Sequence, residues 1–259
     1  MGNGLIAPGK ASVTVGSGGQ VFTPLQPDTP ANLRTNPRLH VFNHAVPHMW
    51  YGLGAILSAG LSLRWLRNIT GLENTPNAYA ILSAEAAQAP PGANGLIFLP
   101  YLSGERTPHM DPLARGGFIG LTHFHQRQHL ARAVMEGVSM ALRQALELSL
   151  ELGGQVDTVI AAGGGAKSQI WRQIQADVFG LPLRQSLLTE QAGVGAALLA
   201  GVGSGVYPNL TEACAQVVRY GPATRPNHQN HIRYNEIFDR YAQLYPRLKP
   251  DFHALHHFD

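Results

Sequence analysis

Apolar and polar positions alternate early in the chain, where Ala11-Ser12-Val13-Thr14-Val15 reads as a strand over 11–15. It runs into Gly16-Ser17-Gly18-Gly19 and a second β run over 20–23, which predicts a hairpin closed by a glycine turn. Residues 39–46 alternate weakly, and after Pro47 an apolar stretch around Trp50, Leu53 and Ile56 leads into helical spacing over 59–69. A short helix is predicted over 76–87, stopped by Ala89-Pro90-Pro91-Gly92. Gly95-Leu96-Ile97-Phe98-Leu99 has the composition of a buried strand, and 118–121 that of another. Between them, 100–117 is full of Gly, Pro, Arg and Asp and reads as a long irregular loop, which in a compact domain is expected to be functional or mobile.

The strongest period follows over 126–152, where Leu130, Val134, Val138, Leu142, Leu146 and Leu150 recur at four-residue steps before Gly153-Gly154. A βαβα series comes next, with a strand over 156–162, a helix over 167–179, a strand over 181–185 and a small-residue helix over 191–201. Helical patterns over 210–218 and 232–248 close the domain, and the chain ends in a tail. No repeat or linker interrupts the series. The order predicts one α/β domain over 1–250, a mixed sheet flanked by helices, with 251–259 as the tail.

Composition narrows the function classes. Hydrophobic residues make up 44% of the 259 and charged residues only 14%, which excludes a disordered chain. The net charge is +3, and the three lysines, Lys10, Lys167 and Lys249, lie far apart, so no basic stripe for nucleic acid is present. The single cysteine, Cys214, excludes an internal disulfide or a cysteine-cluster metal site, and its place mid-helix beside Ala213 and Val217 makes it a small buried hydrophobe. The first residues lack a basic-then-apolar leader, and no apolar run reaches membrane-spanning length. A soluble, cytoplasmic protein with no membrane partner is expected.

Two glycine turns carry the candidate chemistry. Gly163-Gly164-Gly165-Ala166-Lys167-Ser168 sits between a predicted strand and a helix start, where glycines admit close backbone approach and helix amides favour anionic groups. Ala166 breaks the Gly-Lys-Ser of a Walker loop and Ser168 breaks G-x-G-x-x-G, so a plain tight turn reads equally well. Gly16-Ser17-Gly18 could clasp phosphate oxygens or simply turn a hairpin. His40, His44 and His48 are four apart, but Pro47 denies them one helical face and no carboxylate completes a metal set. His123, His125 and His129 precede and enter the long helix, where capping or surface roles are expected.

Three stretches together resemble the carbohydrate-kinase family named for its Phe-Gly-Gly-Tyr members (FGGY), and within it the xylulose kinases. The first is Phe98-Leu99-Pro100-Tyr101-Leu102-Ser103-Gly104-Glu105-Arg106-Thr107-Pro108-His109, continuing through Asp111-Pro112 to Ala114-Arg115-Gly116. The second runs from Gly116-x-Phe118-x-Gly120-Leu121 to His129-Leu130-x-x-Ala133-Val134-Met135-Glu136, and the third is Gly163-Gly164-Gly165-Ala166-x-Ser168-x-x-Trp171-Arg172-Gln173 followed by Gly193-x-Gly195.

The resemblance implies the C-terminal, ATP-side domain of a two-domain kinase with an actin-like, ribonuclease-H-like fold. Such a kinase uses ATP and Mg2+ to phosphorylate a ketopentose, D-xylulose to D-xylulose 5-phosphate, and another pentulose, a pentitol or glycerol is the alternative acceptor. By the same resemblance, Gly16, Ser17 and Gly18 form a phosphate turn in which the family usually has Thr at the place of Ser17. Gly120, Thr122, Gly163, Gly164, Gly165 and Ser168 would form the nucleotide wall. The family's sugar contacts, its Asp-x-Gly-Thr hairpin and its catalytic Asp belong to an N-terminal domain that would precede Gly2-Asn3-Gly4, and the pentulose partner would bind there. The chain alone is then expected to phosphorylate no sugar and to bind ATP weakly if at all. A homodimer, or use as a non-catalytic assembly module, is also compatible with the resemblance.

Overall fold

The computed structural model describes residues 1–25 and 38–258, so Asp259 of the tail lies outside them. Four strands come first: β1 (Gly9–Val15), β2 (Gly19–Leu25), β3 (His40–Asn43) and β4 (Trp50–Ile56). Helices α1 (Gly60–Ile69) and α2 (Ala78–Gln88) lead to a small strand pair, β5 (Ile97–Leu99) and β6 (Gly117–Ile119), and to the long helix α3 (Arg127–Glu151). The second half is β7 (Val156–Gly163), α4 (Gln169–Phe179), β8 (Leu183–Ser186), α5 (Gln191–Gly203), α6 (Leu210–Val217), β9 (Tyr220–Thr224) and α7 (His228–Leu255).

Seven strands form one mixed sheet in the order β3-β4-β2-β1-β7-β8-β9. The neighbours from β3 to β1 are antiparallel, β1, β7 and β8 are parallel, and β9 returns antiparallel to β8. The predicted hairpin of β1 and β2 is present, with Val15 opposite Gly19. Ala11, Ser12 and Val13 are all buried, so β1 is covered on both faces.

Helix α3 is the centre of the core. Val134, Val138 and Leu142 are fully buried, and so are Ala131 and Met135. Side chains of this kind contribute roughly 1.5–3 kcal/mol each on burial. Its N-terminus is closed by a capping box in which the Gln126 amide donates to His129 Nδ1 at 3.0 Å, the capping role expected for that histidine. Helices α1, α2, α4 and α7 share this core, whereas α5 and α6 pack over a separate cluster of Leu198, Ala213, Cys214 and Val218. Cys214 is buried as expected, and burial pushes its thiol pKa up.

The apolar stretch around Trp50, Leu53 and Ile56 is strand β4, and its period is hidden because the buried positions include Gly52 and Gly54. A Cβ at Gly54 would lie 2.7 Å from the Ala145 Cβ, so α3 packs on nearly bare strand backbone. Strand β9, which carries Pro222 and has no predicted element in the sequence, lies at the sheet edge, where a strand tolerates proline. Helix α7 runs beyond 248 to Leu255 in spite of Pro246 and Pro250, and it buries Phe252. The loop over 100–116 is irregular as expected, yet Tyr101, Glu105, Thr107, Asp111 and Ala114 are buried, so its middle is packed. Among the described residues no helix is long and apolar enough to cross a membrane.

Candidate functional site

The glycine turn between β1 and β2 is tied to the start of α1 by three backbone bonds. The Ala59 and Leu61 amides donate to the Ser17 carbonyl at 3.0 Å, and the Gly60 amide donates to the Gly16 carbonyl at 2.8 Å. Helix-start amides have no partner within the helix and must find one outside it. Here they fix the turn, leaving Gly16 and Ser17 exposed at its tip. A Cβ at Gly60 would run into the Gly16 carbonyl, and one at Gly18 would lie 2.9 Å from the Ile56 carbonyl oxygen, so glycine is required at both places.

The three glycines at the end of β7 and just beyond it have different duties. Gly163 takes φ +79°, and a Cβ there would lie 2.5 Å from the Val15 carbonyl oxygen. A Cβ on Gly165 would lie 2.7 Å from the Val15 Cβ, whereas Gly164 has nothing nearer than 3.9 Å and faces open space. These residues form a single 3-10 turn over Gly164–Lys167, and α4 starts only at Gln169 because Ser168 is its cap. Ser168 Oγ accepts from the Trp171 amide at 3.3 Å and donates to Ser83 Oγ of α2 at 3.0 Å. The Trp171 ring is buried, and its Nε1 donates to the Met135 carbonyl at 3.1 Å, which anchors α4 on α3.

The two turns line one cleft of about 950 Å³. Gly16, Ser17, Gly164, Gly165 and Ser168 are in its wall. Gly18 and Gly163 shape that wall from behind through their close approach to Ile56 and Val15. Gly120 and Thr122 do not line it. Gly120 turns the chain after β6 with φ +92°, against the Gly95 carbonyl, and the exposed Thr122 amide donates to His125 Nδ1 at 2.9 Å.

Several wall residues carry no signal that a glycine search detects. Arg64 of α1 and Lys167 bring positive charge to the cleft, and Tyr79 and Gln173 border it. Helix α2 contributes Ala80, Ser83, Ala84 and Ala87, spaced as one small-residue helix face that leaves room for a ligand. That spacing is visible in sequence, but an alanine stripe is equally a packing surface.

A buried polar network holds α2 in place. Arg132 donates to the Ala86 and Ala89 carbonyls at the end of α2, at 3.2 and 2.9 Å, and through Nε to Glu136 at 2.7 Å. Glu136 Oε1 also accepts from the Gly92 amide at 2.9 Å and the Tyr234 hydroxyl at 2.7 Å. The motif ending in Glu136 is therefore structural support for the cleft and not part of its lining.

A second network ties the 100–116 loop to α7. Asp111 Oδ2 accepts from the Tyr245 hydroxyl at 2.7 Å and pairs with His253 Nε2 at 2.8 Å, and His109 stacks on Tyr245 with 3.6 Å between ring centres. Burial alone would raise the Asp111 carboxyl, but the Tyr245, His253 and Leu113 bonds hold it below the ordinary range.

The chain matches the FGGY family of carbohydrate kinases, C-terminal domain, over residues 11–204. It is similar to the xylulose kinase of Bacillus subtilis (strain 168), 37% identical over 249 residues, which is 96% of this chain and 49% of that protein. In structure it is similar to xylulose kinase from Rhodospirillum rubrum, with a TM-score of 0.87 and 32% identity over 97% of this chain and 50% of that one. Gluconate kinase from Lactobacillus acidophilus also superposes with a TM-score of 0.87, at 27% identity over 98% of this chain and 50% of that one. The chain spans about half the length of the curated relatives it matches.

Proposed function

The chain belongs to the FGGY family of carbohydrate kinases, as its C-terminal domain with the actin-like ATPase fold, and on that premise we propose that it is the nucleotide half of a D-xylulose kinase. One observation carries the reading: two glycine turns far apart in sequence, at Gly16-Ser17 and at Gly164-Gly165, line a single cleft. Its volume of about 950 Å³ is of the size that takes a nucleotide.

In this reading the exposed Gly16-Ser17 tip of the turn meets phosphate oxygens, with the Ser17 hydroxyl as one donor. Arg64 and Lys167 offset phosphate charge, while the bare backbone at Gly164 and the small face of α2 accept the adenosine. Among the described residues no three His, Cys, Asp or Glu side chains converge as a metal site. In this reading magnesium would be held by phosphate oxygens and water, where it would neutralise charge during phosphoryl transfer.

The sugar and the base that takes its hydroxyl proton belong to the other half of the kinase, so this chain alone binds ATP weakly and turns over no sugar. Closure of the two halves would complete the site. The likeness to a gluconate kinase favours a second reading, in which the acceptor is gluconate. Sugar-dependent ADP release tests both, using D-xylulose and D-gluconate with the chain alone and with the chain supplied, in parallel, with the N-terminal half of a xylulose kinase and with that of a gluconate kinase. Turnover by the chain alone would refute the division of labour, and turnover restored by the gluconate-kinase half but not by the xylulose-kinase half would replace the first reading by the second.

A further inference from the structure

Glu105, in the middle of the 100–116 loop, is a buried carboxylate, 2% exposed. Its Oε1 accepts from the Leu57 amide at 3.0 Å and from the Arg106 amide at 2.7 Å, while its Oε2 is buried without a hydrogen-bond partner. Two residues on, Thr107 makes a reciprocal tie to the same strand end: its amide donates to the Ala55 carbonyl at 2.9 Å, and its Oγ1 accepts from the Ala55 amide at 3.1 Å. The loop thus grips 55–57. The next residues, Ala59, Gly60 and Leu61, are those whose amides grip the carbonyls of Gly16 and Ser17.

We propose that Glu105 is a positioning residue for the 16–18 turn, acting through the Leu57 amide and the 57–61 segment; this rests on the nucleotide reading of the cleft. An isolated carboxyl is costly to bury, and a plain packing role would be met by an apolar residue. What Glu105 adds is an acceptor at the one point where β4 ends and the segment that holds the turn begins. Burial pushes its pKa up to about 8, against the lowering effect of the Arg106 and Leu57 amides. Near neutral pH the proton is mostly retained, so the acceptor is present without a full negative charge behind a phosphate site.

The proposal separates phosphate recognition from adenosine recognition. Affinities for ATP with magnesium and for adenosine are measured by ligand-observed NMR titration on the wild-type chain, Glu105→Met and Glu105→Gln. Met fills the volume without an acceptor, and Gln keeps the acceptor. The expected result is a preference for ATP over adenosine that falls roughly tenfold in Glu105→Met, the worth of one or two hydrogen bonds. Adenosine affinity should be unchanged, and Glu105→Gln should keep the wild-type ratio. An unchanged ratio in Glu105→Met, equal loss of both ligands, or a tenfold fall in Glu105→Gln overturns the proposal. Should Glu105→Met fail to fold, Thr107→Val, which removes the acceptor for the Ala55 amide at the same strand end, takes its place: the ratio is expected to fall there too, and an unchanged ratio overturns the proposal. A wild-type chain that binds neither ligand removes the nucleotide reading and this proposal together.

Discussion

Ser168 Oγ donates to Ser83 Oγ at 3.0 Å, joining the cap of α4 to the small-residue face of α2 within the cleft wall. The same oxygen accepts from the Trp171 amide, so one hydroxyl both starts α4 and sets its distance from α2. Ser168→Ala is expected to cost about 1 kcal/mol of stability, the usual worth of a helix cap. Thermal unfolding of the variant checks this. An unchanged Tm would mean that the two serines are not coupled in this way.

Gly163, Gly164 and Gly165 make unequal demands. Gly165→Ala drives a methyl into Val15 and is expected to cost roughly 1–3 kcal/mol, as overpacking of a well-filled core does. Gly164→Asp faces open space and should leave the Tm nearly unchanged. Chemical denaturation of the two variants separates these outcomes, and the reverse order would contradict the arrangement of the turn.

Arg132 and Glu136 form a buried pair with 5% and 3% side-chain exposure. Removing one partner leaves the other charge uncompensated, so Glu136→Ala should cost about 3–5 kcal/mol and loosen the end of α2. Hydrogen exchange over 86–92 would report that loosening. Protection retained there would show that the pair is not what anchors α2.

Titration provides a test of burial. Since the Glu105 carboxyl is pushed up to about 8 from an ordinary 4.5, the folded chain holds this proton more tightly than the unfolded one. Its contribution is full below about 4.5 and is lost as pH rises through 8. The Tm of Glu105→Gln relative to wild type should therefore climb between about pH 4.5 and pH 8. His109 has the opposite sign: burial holds it down to about 4, so its contribution is full above 6.5 and is lost as pH falls through 4. A Tm difference for Glu105→Gln that is flat across that range would contradict the buried carboxyl.

Much of this is legible in the sequence where a side chain carries the signal. The long helix announces itself through Val134, Val138 and Leu142, and the hairpin through Val13 and Val15 around a glycine turn. Strand β4 is hidden because its buried face includes Gly52 and Gly54, which have no side chain to count. Strand β9 is hidden by Pro222. At the cleft, Gly16, Ser17, Gly164, Gly165 and Ser168 come together, but the sequence does not show that Gly163 and Gly165 mainly accommodate Val15 while Gly164 is open. Nor does it connect Glu105 to Leu57, because that contact depends on how a long loop folds back onto a strand end.

The roles given to both glycine turns require that the cleft bind a nucleotide. Titrating ATP with magnesium against the wild-type chain and Gly164→Asp, followed by saturation-transfer NMR on the adenine protons, tests this directly. Weak saturable binding is expected for wild type, with a loss of at least about tenfold in the folded Gly164→Asp variant, whose side chain would occupy the wall that accepts the adenosine. Identical signals from the two proteins, or none from either, would contradict it.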